Sequence, residues 1–381
     1  MTFAGWGARA ALHACALALL FALGLLVHHD DLTRGPLQRD EVIFGRAFAH
    51  AAHGESPYAE PGFYYPVPFA VFGAKAFQAL GERNFFLLLR HANLFGACIV
   101  AWLAVSAAGW RRAVQWGLAA LVVAFAFPVR NALGLGNVSL IAIAITLAAL
   151  ALVPELPIAA GILLGAGLAF KPLAMAAVPL LAVVGWKGSR GALRAALVAT
   201  ATAGGLLLAF GGRFALEIWQ RSEVAPTPNH DLSLGRLLRG FGLPVEGRWL
   251  FFAVVAVAAL ALARRRLPPR QEQAAILAGT LWSLPIVWAH TLLLTLPVQA
   301  LALERALTPS AADRRRRWAV AALVGAALFS LNAHTGSDAA PEGWPAPVLA
   351  LLGFEPLACV LVLLLFSLRD RRRRVTDSLA A

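Results

Sequence analysis

Apolar runs long enough to cross a bilayer recur along the whole chain, and they leave it one class of fold. A bilayer core of about 30 Å takes about 20 apolar residues as a helix. Lipid satisfies no exposed backbone, so each such run must close its hydrogen bonds within itself, as a helix does. Allowing ~17–25 residues per crossing, and shorter pieces where a helix is broken, predicts about twelve spans. They lie near 9–27, 88–108, 112–128, 137–153, 157–170, 172–186, 192–212, 248–264, 272–289, 291–307, 318–333 and 346–367. The stretches 157–186 and 272–307 each read equally as one long helix or as two. A content of 60% hydrophobic and 14% charged residues, with a mean hydropathy of +0.71 over 381 residues, describes no soluble domain. The expectation is an all-α polytopic membrane protein, with residues 1–381 forming one integral membrane domain.

The formal net charge of +13 would suit a nucleic-acid partner if the cations shared one surface. Instead they sit in short clusters between apolar runs: Arg111-Arg112, then Lys187, Arg190 and Arg194, then Arg264 to Arg266 with Arg270. Arg314 to Arg317 and a basic tail over 368–381 follow. This is how cytoplasmic loops are marked, so both termini are expected inside a plasma (inner) membrane, and nucleic acid is set aside as a partner. The external side then holds the loop 28–87, a short loop from Arg130 to Gly136, the loop 213–247 and residues 334–345. Cys15, Cys98 and Cys359 fall in apolar runs and read as small buried hydrophobes without a disulfide framework. The first run lacks a small-x-small cleavage site before His28, so it is expected to be a retained span.

Within the first external loop, Arg39 to Pro66 reads RDEVIFGRAFAHAAHGESPYAEPGFYYP. The acidic pair Asp40-Glu41 suits the positive end of a helix dipole. Phe44, Ala47, Phe48, Ala51 and Ala52 then recur at helical spacing, Gly54 ends the helix, and Ser56-Pro57-Tyr58 turns. Such an amphipathic helix is expected to lie along the membrane surface. Tyr64 to Leu80, apolar but carrying Pro66, Pro68 and Lys75, reads as a second interfacial or re-entrant helix.

Polar residues out of place in apolar surroundings gather on the external side. Asp40 reads as a general base or as a helix N-cap, and Asp30 or Asp31 competes with it for the first role. Lys171, between GILLGAGLAF and Pro172, either holds an anion such as phosphate or snorkels to the interface. His290, in WSLPIVWAH, is a phosphate ligand, a proton relay or a structural neighbour of Trp288. His230 lies with Asn229, Asp231, Ser233, Arg236 and Arg239 in a segment fit for a charged lipid headgroup, or simply solvated. Gly134-Leu135-Gly136-Asn137 opens a span whose N-terminus would welcome an anion. His28-His29-Asp30-Asp31 reads as an interface more readily than as a metal site, because adjacent side chains diverge. There is no P-loop, dinucleotide glycine fingerprint, HExxH or Asp-x-Asp pair, so a cytoplasmic nucleotide donor has no support.

Taken in order, these residues resemble glycosyltransferase family 87, membrane enzymes of the GT-C fold that use polyprenyl-phosphate sugars, typically mannose. Over residues 10–300, the family's external-loop Asp is similar to Asp40. Its Gly-x-x-Pro-Tyr-like turn is similar to the run ending at Tyr58, and its Tyr-x-Tyr-Pro-Pro-like element to Tyr64-Tyr65-Pro66 with Pro68. Gly136-Asn137-Val138-Ser139 stands where the family has Gly-Gln-x-Asn, with both polar positions changed, and Val67 replaces a second Pro. Gly161 to Pro172 places Lys171 in register. Asn229 to Leu234 looks like the Asn-x-Ser-Leu element with an insertion, and Pro285, Trp288 and His290 match Pro-x-x-Trp-x-His.

The resemblance implies a hexosyltransferase acting on the periplasmic or external face. The donor is a polyprenyl-phosphate sugar, the acceptor is a lipid or glycan, membrane lipids are partners, and no cofactor is needed, with metal use left open. Asp40 is then the base, and Lys171, His290, His230, Asn137, Arg130, Tyr58 and Tyr65 are the donor-side contacts. Inverting single displacement needs one carboxylate, unlike the pair used in hydrolysis. Two rivals remain. A secondary transporter or flippase also suits broken helices, and Glu355 within the last span favours it. A non-catalytic assembly subunit is the other.

Overall fold

The computed structural model describes residues 3–33, 37–106, 112–214, 217, 231–243, 245–284, 286–307, 314–333 and 345–368. Among these residues all regular structure is helical, as the apolar runs require. In chain order the helices are α1 (Phe3–Val27), α2 (His29–Thr33), α3 (Arg39–Ala52), α4 (Val67–Leu80), α5 (Glu82–Ser106) and α6 (Arg112–Phe125). Then come α7 (Phe127–Leu135), α8 (Ser139–Leu152), α9 (Pro157–Phe170), α10 (Ala177–Trp186) and α11 (Arg190–Gly211). The last six are α12 (Leu234–Gly240), α13 (Gly247–Arg264), α14 (Pro269–Ser283), α15 (Leu296–Leu307), α16 (Arg314–Asn332) and α17 (Ala346–Leu368).

Four of these, α5, α11, α13 and α17, are long and apolar enough to cross a membrane unaided. A fifth span forms if α6 and α7, bent by 42° at Ala126, are taken together. Among the remaining apolar helices, α8, α9 and α10 run only 10–14 residues, shorter than full crossings. Both ambiguous stretches resolve into two pieces. Between α9 and α10, Pro172 has no N–H to continue the ladder, and Lys171 is extended at φ −153°. Between α14 and α15 the chain passes through irregular backbone and a 3-10 segment, Ala289–Thr295. Broken helices of this kind expose backbone only where protein surrounds it. Along α9, Gly161 and Gly165 face α11 so closely that a Cβ would stand 2.7 Å and 2.6 Å from the carbonyl oxygens of Ala195 and Ala199. That contact fixes the helix that ends at Lys171.

The buried residues form two groups. The larger lies among the spans. The smaller is an aromatic cluster of Phe44, Phe48, Phe63, Tyr65, Phe69, Phe85 and Phe86, built by the 37–86 stretch. Its rings meet mostly edge to face, Phe44 with Tyr65 at 5.0 Å and Phe69 with Phe170 at 4.7 Å. The apolar face of α3 is therefore covered by α4 and its own aromatic core, where the periodicity had suggested lipid. Apolar spacing alone does not distinguish the two solvents. For the same reason Cys15 turns outward from α1, whereas Cys98 is buried and Cys359 half-buried. A cavity of about 350 Å³ opens between α5, α6, α15 and α16, with walls that are apolar apart from Gln299 and Asn332.

The cap is tied to the spans by a charge pair. Arg90 of α5 donates from Nε to Glu41 Oε1 and from Nη2 to Oε2, both at 2.6 Å, and both side chains are buried. Glu41 also accepts from the Gln38 N–H at 2.8 Å, and Arg90 donates to the Leu32 carbonyl at 3.3 Å. Removing one partner strands a buried charge. We expect Arg90→Leu to lower the stability of the detergent-purified protein by about 3–5 kcal/mol, whereas Glu41→Leu/Arg90→Leu together recovers most of the loss. Thermal unfolding followed by tryptophan fluorescence reads the difference.

Candidate functional site

Three chain breaks converge beneath the start of α3. Asp40 stands in the first turn of that helix. Asn137 and Ser139 come from the α7–α8 junction, where Gly136 turns the chain at φ +69°. Lys171 comes from the α9–α10 break, and Tyr65 from the extended segment before α4.

Asn137 sits at the centre. Its Nδ2 donates to Asp40 Oδ2 at 2.5 Å. Its Oδ1 accepts from Lys171 Nζ at 2.9 Å, from the Ser139 N–H at 2.9 Å and from Ser139 Oγ at 2.5 Å. Lys171 Nζ also donates to Ser139 Oγ at 2.6 Å and to Tyr65 Oη at 3.0 Å, and it lies 4.7 Å from the Tyr65 ring centre. The ammonium thus meets three neutral oxygens, and the amide stands between it and the carboxylate. A direct ion pair would hold Asp40 firmly ionised and spend the charge of Lys171. The interposed amide leaves both groups usable.

Burial pushes the Asp40 carboxyl above its usual range, opposed by the Asn137 hydrogen bond and the nearby Lys171 charge. Burial and the Asp40 charge likewise keep the Tyr65 phenol protonated. Tyr58 is a buttress: its hydroxyl donates to the Tyr65 carbonyl at 3.0 Å.

His290 is buried at the start of the 3-10 segment, with Nδ1 3.2 Å from Asn131 Oδ1 of α7 and its ring stacked on Trp288. Its Nε2 is buried with no hydrogen-bond partner among the described residues. Such an atom suits a polar ligand. Arg130, also on α7, is exposed and has no bond to the Asn137 group among the described residues. His230 and Pro285 lie outside the described residues. Asp31 faces His28 at 3.8 Å, and Asp30 is exposed on α2. Glu355, which favoured transport, is exposed on α17, with Cys359 Sγ at 3.6 Å.

Two residues of α5 escaped the sequence reading. Arg90 anchors Glu41, the neighbour of Asp40, and Asn93, one turn further on, donates to the Asn137 carbonyl. Its Oδ1 accepts from the Ile141 N–H at 3.3 Å. A signal existed, since polar side chains within a span are costly unless they do something. Arg90 and Asn93 both stand in such a run, RHANLFG.

A family model described as Glycosyltransferase family 87 matches residues 63–297 of the chain. The match takes in Tyr65, Arg130, Asn137, Lys171, His230 and His290, and begins after Asp40 and Tyr58. No curated protein and no solved structure matches.

The turn that delivers Asn137 is confined as well as left-handed. A Cβ at Gly136 would stand 2.6 Å from Glu41 Cγ. Gly136→Ala is therefore expected to cost more than the ~1–2 kcal/mol of a left-handed residue alone. A thermal-shift comparison with Gly134→Ala, where nothing lies within 4 Å, separates crowding from general helix effects.

Proposed function

The chain belongs to glycosyltransferase family 87, and we propose that it moves a sugar, mannose by family preference, from a polyprenyl phosphate to a lipid or glycan acceptor. The observation that carries this reading is the amide of Asn137 between a half-buried carboxylate and a lysine that, among the described residues, bonds only to neutral oxygens. Transfer from a phosphate donor calls for those two groups, close together and not neutralising each other.

In the proposed step the acceptor hydroxyl attacks the anomeric carbon as the bond from that carbon to the phosphate oxygen breaks. Asp40 takes the hydroxyl proton, and the bonding pair leaves on the phosphate. A phosphate monoester is a stable leaving group, so it needs positive charge and hydrogen-bond donors more than an acid. Lys171 supplies the charge and the exposed Arg130 a cation at the approach. His290, whose Nδ1–H is taken up by Asn131 Oδ1, becomes a second donor from Nε2 when the incoming phosphate anion draws a proton onto that nitrogen. His230 is assigned to the same donor side on its sequence context. Attack on the face opposite the phosphate inverts the sugar, and one carboxylate suffices. The apolar cavity between α5, α6, α15 and α16 offers room for the hydrocarbon of a lipid carrier. The clustered cations support the reading that the site faces the outside of the plasma membrane, with both termini inside. No cofactor enters this scheme.

Asp40 must be ionised to accept a proton. Because burial raises its pKa, activity is present above that pKa and is lost as pH falls through it. The acid limb of the rate profile should therefore lie above the ~3.9 of a free aspartate. In nanodiscs with labelled polyprenyl-phosphate mannose and extracted membrane lipids, Asp40→Asn should lose about 10²-fold or more in transfer. Full activity in Asp40→Asn would remove this mechanism, and label crossing the bilayer unchanged would favour a transporter.

A further inference from the structure

We propose that Asp231 is a positioning residue that sets the His290 imidazole against the donor phosphate, an inference that rests on the reading of His290 as a phosphate contact.

Asp231 is 2% exposed, and a buried carboxylate persists only where donors surround it. Its Oδ1 accepts from the Ser233 N–H at 2.9 Å and from the Val287 N–H at 3.1 Å. Its Oδ2 accepts from Ser233 Oγ at 2.9 Å and from Arg239 Nη2 at 3.2 Å. Its carbonyl accepts from Arg236 Nη1 at 2.8 Å. Two of these bonds are local, since Ser233 caps α12 and its hydroxyl also accepts from the Arg236 N–H at 3.2 Å.

The bond to Val287 is the long-range one. It is reinforced by the Leu232 N–H, which donates to the Val287 carbonyl at 2.7 Å. Both backbone groups of Val287 are thereby clamped, in the irregular stretch between α14 and the 3-10 segment. That stretch has no helical ladder of its own to fix it. Three residues on, His290 donates from Nδ1 to Asn131 Oδ1 at 3.2 Å, which leaves Nε2 buried and, among the described residues, without a partner, its lone pair open to the proton that a bound phosphate anion would favour. Asp231 and Asn131 thus grip the segment from two directions, and together they decide where Nε2 points. Behind Asp231, Arg236 packs on α17, where a Cβ at Gly353 would stand 2.7 Å from its Nη1. The clamp is therefore backed by a span and is unlike a free loop.

The test is a double-mutant cycle on full-length protein in nanodiscs, read as the Kd for polyprenyl monophosphate, which does not depend on the sugar. His290→Ala and Asp231→Ala should each weaken binding by about tenfold, the loss expected for a hydrogen bond to a charged group. If Asp231 acts through His290, the double variant loses no more than His290→Ala alone. Asp231→Asn keeps an oxygen for the Val287 and Ser233 N–H groups, so it should lose less than Asp231→Ala. That smaller loss should also vanish in the His290→Ala background, and this variant carries the cycle if Asp231→Ala does not fold. Multiplicative losses, or a lowered melting temperature with unchanged Kd, would overturn the inference while leaving the phosphate reading in place. Equal Kd for wild type and His290→Ala, or no binding by wild type, would instead remove the phosphate role of His290 and the inference with it.

Discussion

The buried pair of Glu41 and Arg90 is the constraint on which the rest of the site depends. Arginine answers the carboxylate with two parallel hydrogen bonds, so the pair fixes direction as well as distance. Glu41 is the residue after Asp40, so the register of α3 on α5 is also the position of Asp40. One turn further along α5, Asn93 holds the carbonyl of Asn137. A single span therefore presents the first turn of the cap and the junction that meets it. Two helices from distant parts of the sequence are aligned against one ruler.

What that alignment produces is an ordered polarity. The Asn137 amide is fixed at its oxygen by Ser139 and Lys171, so only its N–H₂ is free to face Asp40. Burial favours a protonated carboxyl, whereas an amide N–H aimed at Asp40 favours the ionised one. Burial outweighs the amide, so the carboxyl is more basic than a solvent-exposed one. The same amide stands between Asp40 and the lysine, whose ammonium also donates to Tyr65 Oη.

Local signals in the sequence were reliable where the chemistry was local. The acidic start of α3, the glycine after it, the proline-led α4 and the break at Lys171-Pro172 all follow from neighbours in the chain. The family resemblance stood on the order of such local features. Non-local facts were hidden. Glu41 looked like a dipole partner and proved to be half of a buried pair 49 residues apart. Asp231 looked like a loop residue and holds Val287 across 56 positions. Apolar periodicity showed which face of α3 is buried but not what covers it. Nor did hydrophobic runs set a span count, because several apolar helices are only 10–14 residues long.

The aromatic cap has a consequence for the order in which the molecule comes together. Nearly all of its rings lie between Phe44 and Phe86, within a short reach of chain, and Phe170 joins from outside that stretch. The polar group is different: Asp40 waits 97 residues for Asn137, which waits another 34 for Lys171. Synthesis from the N-terminus therefore yields a packed cap before the reactive arrangement exists. A partly made chain carries the carboxylate without its amide or its cation. The carboxylate, its amide and its cation come together only when the ninth helix docks, and His290 follows later in the chain.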